Sequence, residues 1–586
     1  MSPARNPAGR WLLLAAVLAL LGGCVLQATW GYTHDDLSGH AEGSDDAFIS
    51  FRYARNLVAG HGLVFNPGER VEGYTNLLYV LLLALPASLA GRAHLLAVSI
   101  AFNVLCLVAA LLGLYAFSRE RLGDFRAGMG ALALGLCPSL WIAAASGLET
   151  PLVLALQVGL WMAVEGASED RKPPVRRLIV LTALLGLARA DGFIAPLVAA
   201  LYLLLRGRRP AALAVAATAL ATLAALVAWR LSYYGWPLPN TYYAKVAGSL
   251  VDRLEIALPQ FSRAVFSTGM LASVTALLLG ILRMARQVST EGRRPVFSLL
   301  SFPVFFAPAW VGYWMYVGGD VFYERFLLIL FPLGIFVLLD LMRTTPRPGV
   351  SLVVALVIAL QLLQLRTDPR YRYTRERYDR WVLLGRHLAA SHPGATLATD
   401  AAGKIPYFSG LPTLDMLGLT DSRIAHGEPA QQPSLVIGHA KFDVDYVFSR
   451  RPKLITTWVQ SDLDMKWGLE RSRWKKEGYR LRFLVNSEPL PKEPNLLDVS
   501  GRTEEELWTL ISAGYGYGVL ERQRETPAAV PARDGAGTAG HSVISPAQVP
   551  PVDPADPPDP GHPADPPDPG HPADPPDPAD PPPPGR

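Results

Sequence analysis

The sequence is poor in cysteine and in charged residues. Only three of its 586 residues are cysteine, and Cys24, Cys106 and Cys137 all lie in apolar segments. A disulfide-rich secreted domain carries an even set of regularly spaced cysteines, so this pattern excludes a disulfide framework. Charged residues make up 18% of the chain, hydrophobic residues 50%, and the mean hydropathy is +0.23. These values indicate a membrane protein.

Charge is absent altogether from several long runs. Trp11–Gly31, Leu95–Phe117 and Pro210–Trp229 contain no Asp, Glu, Lys or Arg. Apolar runs of about 20 residues are typical of membrane-spanning helices. The net charge of +4 does not indicate a nucleic-acid partner, because the basic residues lie in short loops beside these runs, where they orient a membrane protein. The sequence therefore predicts a polytopic membrane protein.

The basic loops predict the topology. Short basic clusters recur at Arg5/Arg10, Arg119/Arg121/Arg126, Arg171/Lys172/Arg176/Arg177, Arg206/Arg208/Arg209, Arg283/Arg286/Arg293/Arg294 and Arg343/Arg347. If all are cytoplasmic, about eleven spans follow, with the N-terminus inside and everything after Arg366 outside. We place these spans near 11–31, 95–117, 128–145, 150–166, 177–190, 192–206, 211–232, 266–284, 296–316, 326–342 and 350–366.

Two short apolar segments decide this count. Leu77–Ala90 is short and contains Pro86, so we predict a helix on the external surface, because counting it as a span would break the alternation of basic loops. Residues 177–206 are predicted to form two short spans. As an alternative at the N-terminus, Leu21–Cys24 resembles a lipoprotein processing site. Asp45 and Asp46 lie outside in either case.

The polar connections all fall on the predicted external side. They comprise 33–76, 146–150, 189–192, 233–245 and 317–325. Within them Glu149, Arg189 and Asp191 interrupt otherwise apolar stretches. Ionisable residues at membrane depth are costly and usually functional. The sequence therefore predicts that these loops share a functional pocket. The alternative is that they are polar only because loops are exposed to water.

The stretch from Ser44 is the strongest functional signal. Ser44 or Asp45 can cap a helix that Gly60 ends, and Asp45 and Asp46 then lie at the positive end of the helix dipole, which favours their ionised form. Arg52 and Arg55 share a face and are candidates for binding a phosphate. The alternative is an ordinary acidic helix start.

The remaining candidates are groups that bind sugars or phosphates. In the first loop, His61, Glu72, Tyr74 and Asn76 offer hydrogen bonds. His61 lies between two glycines without a second His or Cys at metal spacing, so a turn role is favoured for it over metal binding. The later loops add Asn240, Lys245, Asp320 and Arg325.

Residues 367–525 predict a small external α/β domain. We expect strands at Ala398, Val444–Phe448 and Tyr479–Val485 and a helix over Arg375–Ala390. Asp400 and Lys404 either reach the pocket rim or form a solvated loop pair. Residues 526–586 contain repeats of Pro, Asp and His and predict a disordered, polyproline-like tail.

These motifs resemble a known family. Asp45-Asp46-Ala, Tyr53-Ala-Arg55, Gly60-His61-Gly62 and Val71-Glu72-Gly73 followed by Thr75-Asn76 resemble the first external loop of bacterial GT-C glycosyltransferases, and mycobacterial terminal arabinofuranosyltransferases above all. Gly147–Thr150, Arg189–Gly192, Tyr234–Thr241 and Gly318-Gly319-Asp320 with Arg325-Phe326 extend the likeness. It covers residues 10–450 in order.

The resemblance implies a GT-C-like membrane domain over 1–366 and an enzyme of the bacterial inner membrane. Such an enzyme transfers sugar from a polyprenyl-phosphate donor to an envelope glycan, lipid or protein on the external face. An Asp of the first loop acts as base, here Asp45 or Asp46, and the other orients it or helps to bind a divalent cation. Arg52, Arg55, Arg189, Lys245 and Arg325 are expected to hold the phosphate. Ala190 stands where proline is expected, and the arabinose specificity is not carried over.

Two other classes of protein compete with this interpretation. A lipid or glycan transporter would carry polar groups near the membrane midplane, whereas here they collect on one face. A non-catalytic envelope assembly protein would use 367–525 and the tail as binding modules.

Overall fold

The computed structural model describes residues 7–32, 43–90, 94–168, 174–245, 249–291, 301–320, 325–367, 372–373, 379–428, 441–460, 462–486 and 494–523. The chain divides into two units, residues 1–524 and 525–586. The predicted disordered tail lies outside the described residues, as do Arg5, Arg171, Lys172, Arg293 and Arg294 of the basic clusters.

The first two thirds of the chain is helical. The helices are α1 (Pro7–Trp30), α2 (Asp45–Val58), α3 (Leu77–Ala90), α4 (Leu95–Leu122), α5 (Asp124–Gly135), α6 (Pro138–Ala145), α7 (Thr150–Ser168), α8 (Val175–Ala188), α9 (Ile194–Leu205), α10 (Arg209–Tyr233), α11 (Asn240–Lys245), α12 (Leu250–Ser267), α13 (Leu271–Glu291), α14 (Phe302–Tyr316), α15 (Leu330–Leu341) and α16 (Arg347–Thr367). A 3₁₀ turn, Arg325–Ile329, precedes α15. A short pair of strands, β1 (Gly31–Tyr32) and β2 (Arg372–Tyr373), links the two ends of this region.

Four of the described helices, α1, α4, α10 and α16, are individually long and apolar enough to cross a membrane. The number rises to six if each of two bent pairs is one span: α5 with α6, bent by 54°, and α12 with α13, bent by 107°. The protein is thus a multi-pass membrane protein, and the larger predicted count of spans stays a prediction.

The short segments form separate helices. The predicted surface segment Leu77–Ala90 is α3, with the same bounds. The predicted pair over 177–206 is α8 and α9, separated by the turn at Arg189–Phe193. The predicted span 128–145 is divided at Cys137 because Pro138, which has no N–H to continue a helix, starts α6.

The C-terminal region contains a mixed six-stranded sheet. Its order is β4-β3-β5-β8-β6-β7, and only β4, β3 and β5 run parallel to one another. The strands are β3 (Leu397–Thr399), β4 (Thr413–Asp415), β5 (Leu454–Trp458), β6 (Tyr479–Val485), β7 (Leu496–Asp498) and β8 (Tyr517–Arg522). The accompanying helices are α17 (Arg380–Ser391), α18 (Lys404–Ser409), α19 (Ser422–His426), α20 (Val444–Ser449), α21 (Arg471–Lys476) and α22 (Glu504–Ser512).

The structure confirms some of the strands predicted for the C-terminal region and not others. Tyr479–Val485 is confirmed as β6, and Ala398 lies in β3. The predicted strand Val444–Phe448 was wrong, since these residues form α20. The Asp443 side chain accepts a hydrogen bond from the Tyr446 N–H, and this N-cap favours a helix over the β-rich composition. The predicted helix from Arg375 begins at Arg380, and residues 375–378 lie outside the described part of the chain.

Glycines allow the first helix to pack closely against its neighbours. A Cβ atom at Gly135 of α5 would lie 2.3 Å from the Ala16 carbonyl oxygen of α1. At Gly23, a Cβ atom would lie 2.2 Å from the Trp141 ring of α6. Small residues of this kind let helix backbones approach within membranes.

Gly22 and Gly23 offer a matched test of this packing. Gly23→Ala should lower the thermal unfolding temperature of the detergent-solubilised protein, because overpacking costs about 1–3 kcal/mol. Gly22→Ala should not, since a Cβ atom at Gly22 meets no atom within 4 Å. Equal unfolding temperatures for both variants would contradict the close contact of α1 with α6.

Candidate functional site

The acidic pair starts α2, as predicted. Ser44 precedes the helix, and its N–H donates to the Ser146 carbonyl oxygen (2.8 Å). The helix continues to Val58 and is followed by Ala59 and Gly60. Most of its residues are buried, including Phe48, Phe51 and Tyr53. Helix α2 is therefore an interior helix whose acidic end lies beside the loop after α6.

Asp45 is fixed by the C-terminal region. Its Oδ2 accepts from the Gly403 N–H (3.0 Å) and its Oδ1 from the Lys404 N–H (2.7 Å). A Cβ atom at Gly403 would lie 1.9 Å from the Asp45 carbonyl oxygen, so this approach requires glycine. Burial raises the pKa of Asp45 to about 7, although the Lys404 N–H and charge act in the opposite direction.

Lys404 is completely buried at the same junction. Its Nζ donates to Asp379 Oδ2 (2.6 Å) and to the Gly43 carbonyl oxygen (2.7 Å). The side chains of Lys404 and Asp379 are 0% and 3% exposed. Lys404 is thus neither a rim residue nor half of a solvated pair with Asp400, because it joins the first loop to the C-terminal region.

The Asp400 carboxylate is hydrogen-bonded within the C-terminal region. It accepts hydrogen bonds from Thr457 Oγ1 (2.6 Å), Trp467 Nε1 (2.8 Å) and Tyr517 Oη (2.6 Å). All three donors belong to the C-terminal region. The structure therefore gives Asp400 hydrogen-bonding partners within the sheet region.

Arg52 fastens α2 to the same region. It is buried and donates to the carbonyl oxygens of Phe65 (2.8 Å), Pro406 (2.5 Å) and Leu411 (2.9 Å) and to Asn66 Oδ1 (3.0 Å). These bonds correct the phosphate-binding role predicted for Arg52, because four of its five N–H groups are taken by protein oxygens.

Arg55 makes a similar contact. Its Nη1 donates to the Tyr407 carbonyl oxygen (2.9 Å), and its guanidinium lies 4.7 Å from the centre of the Tyr407 ring. The two arginines of the predicted phosphate face thus both point to the segment that contains α18.

Asp46 differs from its neighbour. It is half-buried, and in the described part of the chain its carboxylate makes no hydrogen bond or ion pair. Ser50 lies one turn further along α2, on the same face as Asp46. The acidic pair is therefore divided into a bonded residue, Asp45, and an available one, Asp46.

A buried polar network begins at Ser50. Asn76 Nδ2 donates to Ser50 Oγ (3.0 Å) and to Glu149 Oε2 (2.9 Å). Glu149 Oε1 accepts from Arg189 Nη1 (3.3 Å), and Arg189 pairs with both carboxylate oxygens of Asp191 (2.8 and 3.0 Å). The loops predicted to converge do so at Asn76, Glu149, Arg189 and Asp191.

The charges of this network stabilise one another. Burial would raise the pKa of Glu149, but the charges of Arg189 and Arg325 outweigh it and hold the pKa below its ordinary value. Burial would lower the pKa of Arg189, but Asp191 and Glu149 raise it above the usual range. Both groups are therefore ionised at neutral pH, and a buried network of this kind is rigid because each charge has a partner.

Phe326 connects the network to the next ion pair. The Arg189 guanidinium lies 3.6 Å and the Arg325 guanidinium 4.7 Å from the centre of its ring. Arg325 makes two hydrogen bonds to Asp320 (2.9 and 3.0 Å). The Gly-Gly-Asp motif thus contributes its carboxylate beside the same cluster.

Other first-loop candidates form a second buried group. Glu72 accepts from Arg230 Nε (2.9 and 3.2 Å), and Tyr74 Oη lies 3.1 Å from Tyr234 Oη. Burial raises the pKa of Glu72 to about 7 against the opposing charge of Arg230. Arg230 was missed from the sequence, although it is the single charged residue within the predicted span 211–232, and that is the signal that identifies it.

The last three candidates lie at the edges of this group. Asn240 Nδ2 donates to the carbonyl oxygens of Gly418 (2.7 Å) and Leu419 (3.1 Å), so it links α11 to the C-terminal region. His61 is exposed in a turn. Lys245 is half-buried at the end of α11 and makes no hydrogen bond or ion pair within the described residues.

A divalent cation was an open expectation for this site. Among the described residues, no group of three or more His, Cys, Asp or Glu side chains is placed to hold a metal ion.

The chain has curated relatives. It is 30% identical over 378 residues to the terminal β-(1→2)-arabinofuranosyltransferase of Mycobacterium tuberculosis, covering 58% of each protein. It is 30% identical over 232 residues to the enzyme of the same name from Corynebacterium glutamicum, covering 36% of this chain and 34% of that protein. The aligned part thus spans less than two thirds of either relative. Residues 365–508 match a family model described as a domain of unknown function, DUF8728.

The fold also has a solved counterpart. ArnT from Cupriavidus metallidurans, in the apo state, superposes with a TM-score of 0.50 at 12% identity, covering 88% of this chain and 98% of ArnT. The chain is thus similar to terminal arabinofuranosyltransferases over part of its length and has an ArnT-like fold. The resemblance to terminal arabinofuranosyltransferases that the motifs predicted is confirmed.

The junction at Lys404 generates a stability prediction. Lys404→Met should destabilise the folded protein by about 3–5 kcal/mol, because it leaves the Asp379 carboxylate buried without its partner. Thermal unfolding in detergent measures the loss. Adding Asp379→Asn to Lys404→Met should restore part of it, because the neutral amide removes the buried charge and keeps an oxygen that accepts from the Trp381 and Val382 N–H groups. A double variant no more stable than the single one would contradict the importance of this pair.

Proposed function

We propose that the protein is a membrane glycosyltransferase that transfers a sugar from a polyprenyl-phosphate donor to a cell-envelope glycan, lipid or protein, with Asp46 as catalytic base. The observation that carries this proposal is the division of the acidic pair. Asp45 is bound by two backbone N–H groups, whereas Asp46 has no partner among the described residues. The names of the curated relatives support arabinofuranose as the sugar and a β-(1→2) linkage as the product.

The reaction asks little covalent chemistry of the protein. The base removes the proton of an acceptor hydroxyl, the acceptor oxygen attacks the anomeric carbon, and the bond from that carbon to the phosphate oxygen breaks. The lipid phosphate leaves with the electron pair. A base must therefore be available to the acceptor, and the donor and acceptor must be held in line.

Asp46 suits this role better than Asp45. A general base must reach a substrate hydroxyl within hydrogen-bond distance, and both oxygens of Asp45 already accept bonds from the protein. Asp45 instead acts as a positioning residue, because its bonds to Gly403 and Lys404 fix the first turn of α2. Asp46 stands on that turn.

Lys245 is our candidate for binding the donor phosphate. The charged groups around Phe326 are the carboxylates of Glu149, Asp191 and Asp320 and the guanidiniums of Arg189 and Arg325, so they carry no excess positive charge. Both arginines are already paired with carboxylates, whereas Lys245 has no partner among the described residues. An unpaired ammonium is better placed to meet an incoming phosphate.

The distribution of Lys and Arg along the sequence supports an extracytoplasmic position for the site. Lys and Arg clusters favour the cytoplasmic face of the inner membrane, and the loops that carry Asp46, Glu149 and Arg189 alternate with those clusters along the sequence. We therefore propose that the site, together with the sheet region after Arg366, is extracytoplasmic.

The acidic pair allows a matched test of mechanism. Asp46→Asn should lower kcat by about 10²–10⁴-fold, the usual effect of removing a general base, without changing thermal stability. Asp45→Asn should also lower the unfolding temperature, because its amide opposes an N–H donor. The assay supplies purified protein in vesicles with a panel of polyprenyl-phosphate sugars, including arabinofuranose, and membranes from a deletion strain. Full activity of Asp46→Asn would refute the assignment of the base.

The phosphate assignment is tested at Lys245. Lys245→Met should raise the KM for the donor about tenfold or more, since a hydrogen bond to a charged group contributes about 1.5–3 kcal/mol, with a smaller change in kcat. Lys476→Met, at an exposed lysine of α21, is the control. A donor KM equal to that of the control would remove Lys245 from the site.

A further inference from the structure

Helix α12 was not foreseen from the sequence, and its geometry is unusual. It follows α11 and precedes α13. Helices α12 and α13 meet at a bend of 107° around Gly269. Residues 271–282 of α13 contain no charged residue and carry exposed leucines at Leu278, Leu279 and Leu282. If α13 crosses the membrane, α12 must lie nearly parallel to the membrane surface.

The inner face of α12 packs on the protein. Arg253 Nη1 donates to the Tyr316 carbonyl oxygen (3.0 Å), and the Phe261 ring lies 6.0 Å from the Trp314 ring of α14. Gln260 Oε1 accepts from the Asp320 N–H (3.1 Å). This face is therefore held beside the Gly-Gly-Asp motif.

Two further faces of α12 are exposed, and they differ in character. The apolar row contains Leu250, Val251 and Leu258, which are 49%, 62% and 56% exposed, together with half-buried Leu254. The polar row contains Asp252, Glu255, Ser262 and Arg263, all exposed, and Pro259 and Phe266 are also exposed on this side of the helix. At 3.6 residues per turn, the centres of the two rows lie about a third of a turn apart.

We propose that α12 lies in the outer head-group region of the membrane, with the row Leu250, Val251, Leu254 and Leu258 in the lipid and the row Asp252, Glu255, Ser262 and Arg263 in water. An amphipathic helix with separate apolar and charged faces is the usual structure at this depth. We assign lipid to the apolar row, and not a second copy of the chain, because the neighbouring α13 also exposes leucines, at Leu278, Leu279 and Leu282, and an amphipathic helix beside a membrane-spanning helix buries its apolar face in lipid.

The position of α12 has a consequence for the substrate. Through Gln260 it contacts Asp320, which pairs with Arg325. If the proposed function holds, a lipid-linked donor that approaches this side of the site from the membrane must pass α12. The helix then forms part of the path of the polyprenyl chain.

Fluorescence quenching tests the membrane position. Single Leu258→Cys and Arg263→Cys variants of the full chain are labelled with an environment-sensitive dye and reconstituted in phosphatidylcholine–phosphatidylglycerol vesicles. Wild-type protein, whose cysteines are buried, gives the background. The dye at 258 should be quenched by lipids spin-labelled near the head group and protected from iodide, and the dye at 263 should show the reverse.

Two results would overturn the proposal. Equal iodide quenching at 258 and 263 would place both rows in water. Protection of position 258 from both quenchers would mean that protein covers the apolar row. Neither reading depends on enzymatic activity.

The path of the donor is tested separately. Leu258→Glu should raise the KM for a long-chain polyprenyl-phosphate sugar several-fold and leave the KM for a short-chain, water-soluble analogue unchanged, with Ser262→Glu as the matched control. Equal changes for both donors, or none for either, would contradict the path. If wild-type protein uses no polyprenyl-phosphate sugar at all, the proposed function fails, while the quenching result still decides where α12 lies.

Discussion

The burial of one lysine constrains the whole candidate site. Lys404 is 0% exposed and depends on Asp379 and the Gly43 carbonyl oxygen for compensation of its charge. A buried ammonium without such partners costs several kcal/mol. The segment before α2, the start of α17 and the start of α18 must therefore assemble together. Because Asp45 binds the backbone N–H of the same lysine, this assembly also fixes the first turn of α2.

The C-terminal region is consequently part of the site and not an appended module. Arg52 and Arg55 of α2 donate to carbonyl oxygens at Pro406, Leu411 and Tyr407. Hydrogen bonds from charged groups contribute more than neutral ones, and each buried donor left unpaired would be costly. A helix held by so many charged contacts is rigid, and rigidity is what a positioned base requires.

The distribution of charge explains how a polar centre can exist beside membrane helices. Glu149, Arg189 and Asp191 satisfy one another, and Arg325 satisfies Asp320. Paired charges of this kind supply a fixed polar environment but few free ligands. Asp46 and Lys245 have no partner among the described residues, and these are the groups to which the proposed function gives a role. Their opposite charges match the two requirements of the proposed glycosyl transfer, a base for the acceptor and a cation for the phosphate.

Much of this protein follows from sequence alone, because apolar runs, basic loops and helix signals act over short distances. They predicted α2, α3, the pair α8 and α9, and the meeting of Glu149 with Arg189 and Asp191. Tertiary structure decided what depends on distant partners. Asp45 and Asp46 are identical in type and adjacent, and only the approach of Gly403 and Lys404 distinguishes them. In the same way, Arg52 lost its predicted role to carbonyl oxygens more than 350 positions away, and no local pattern reveals such contacts.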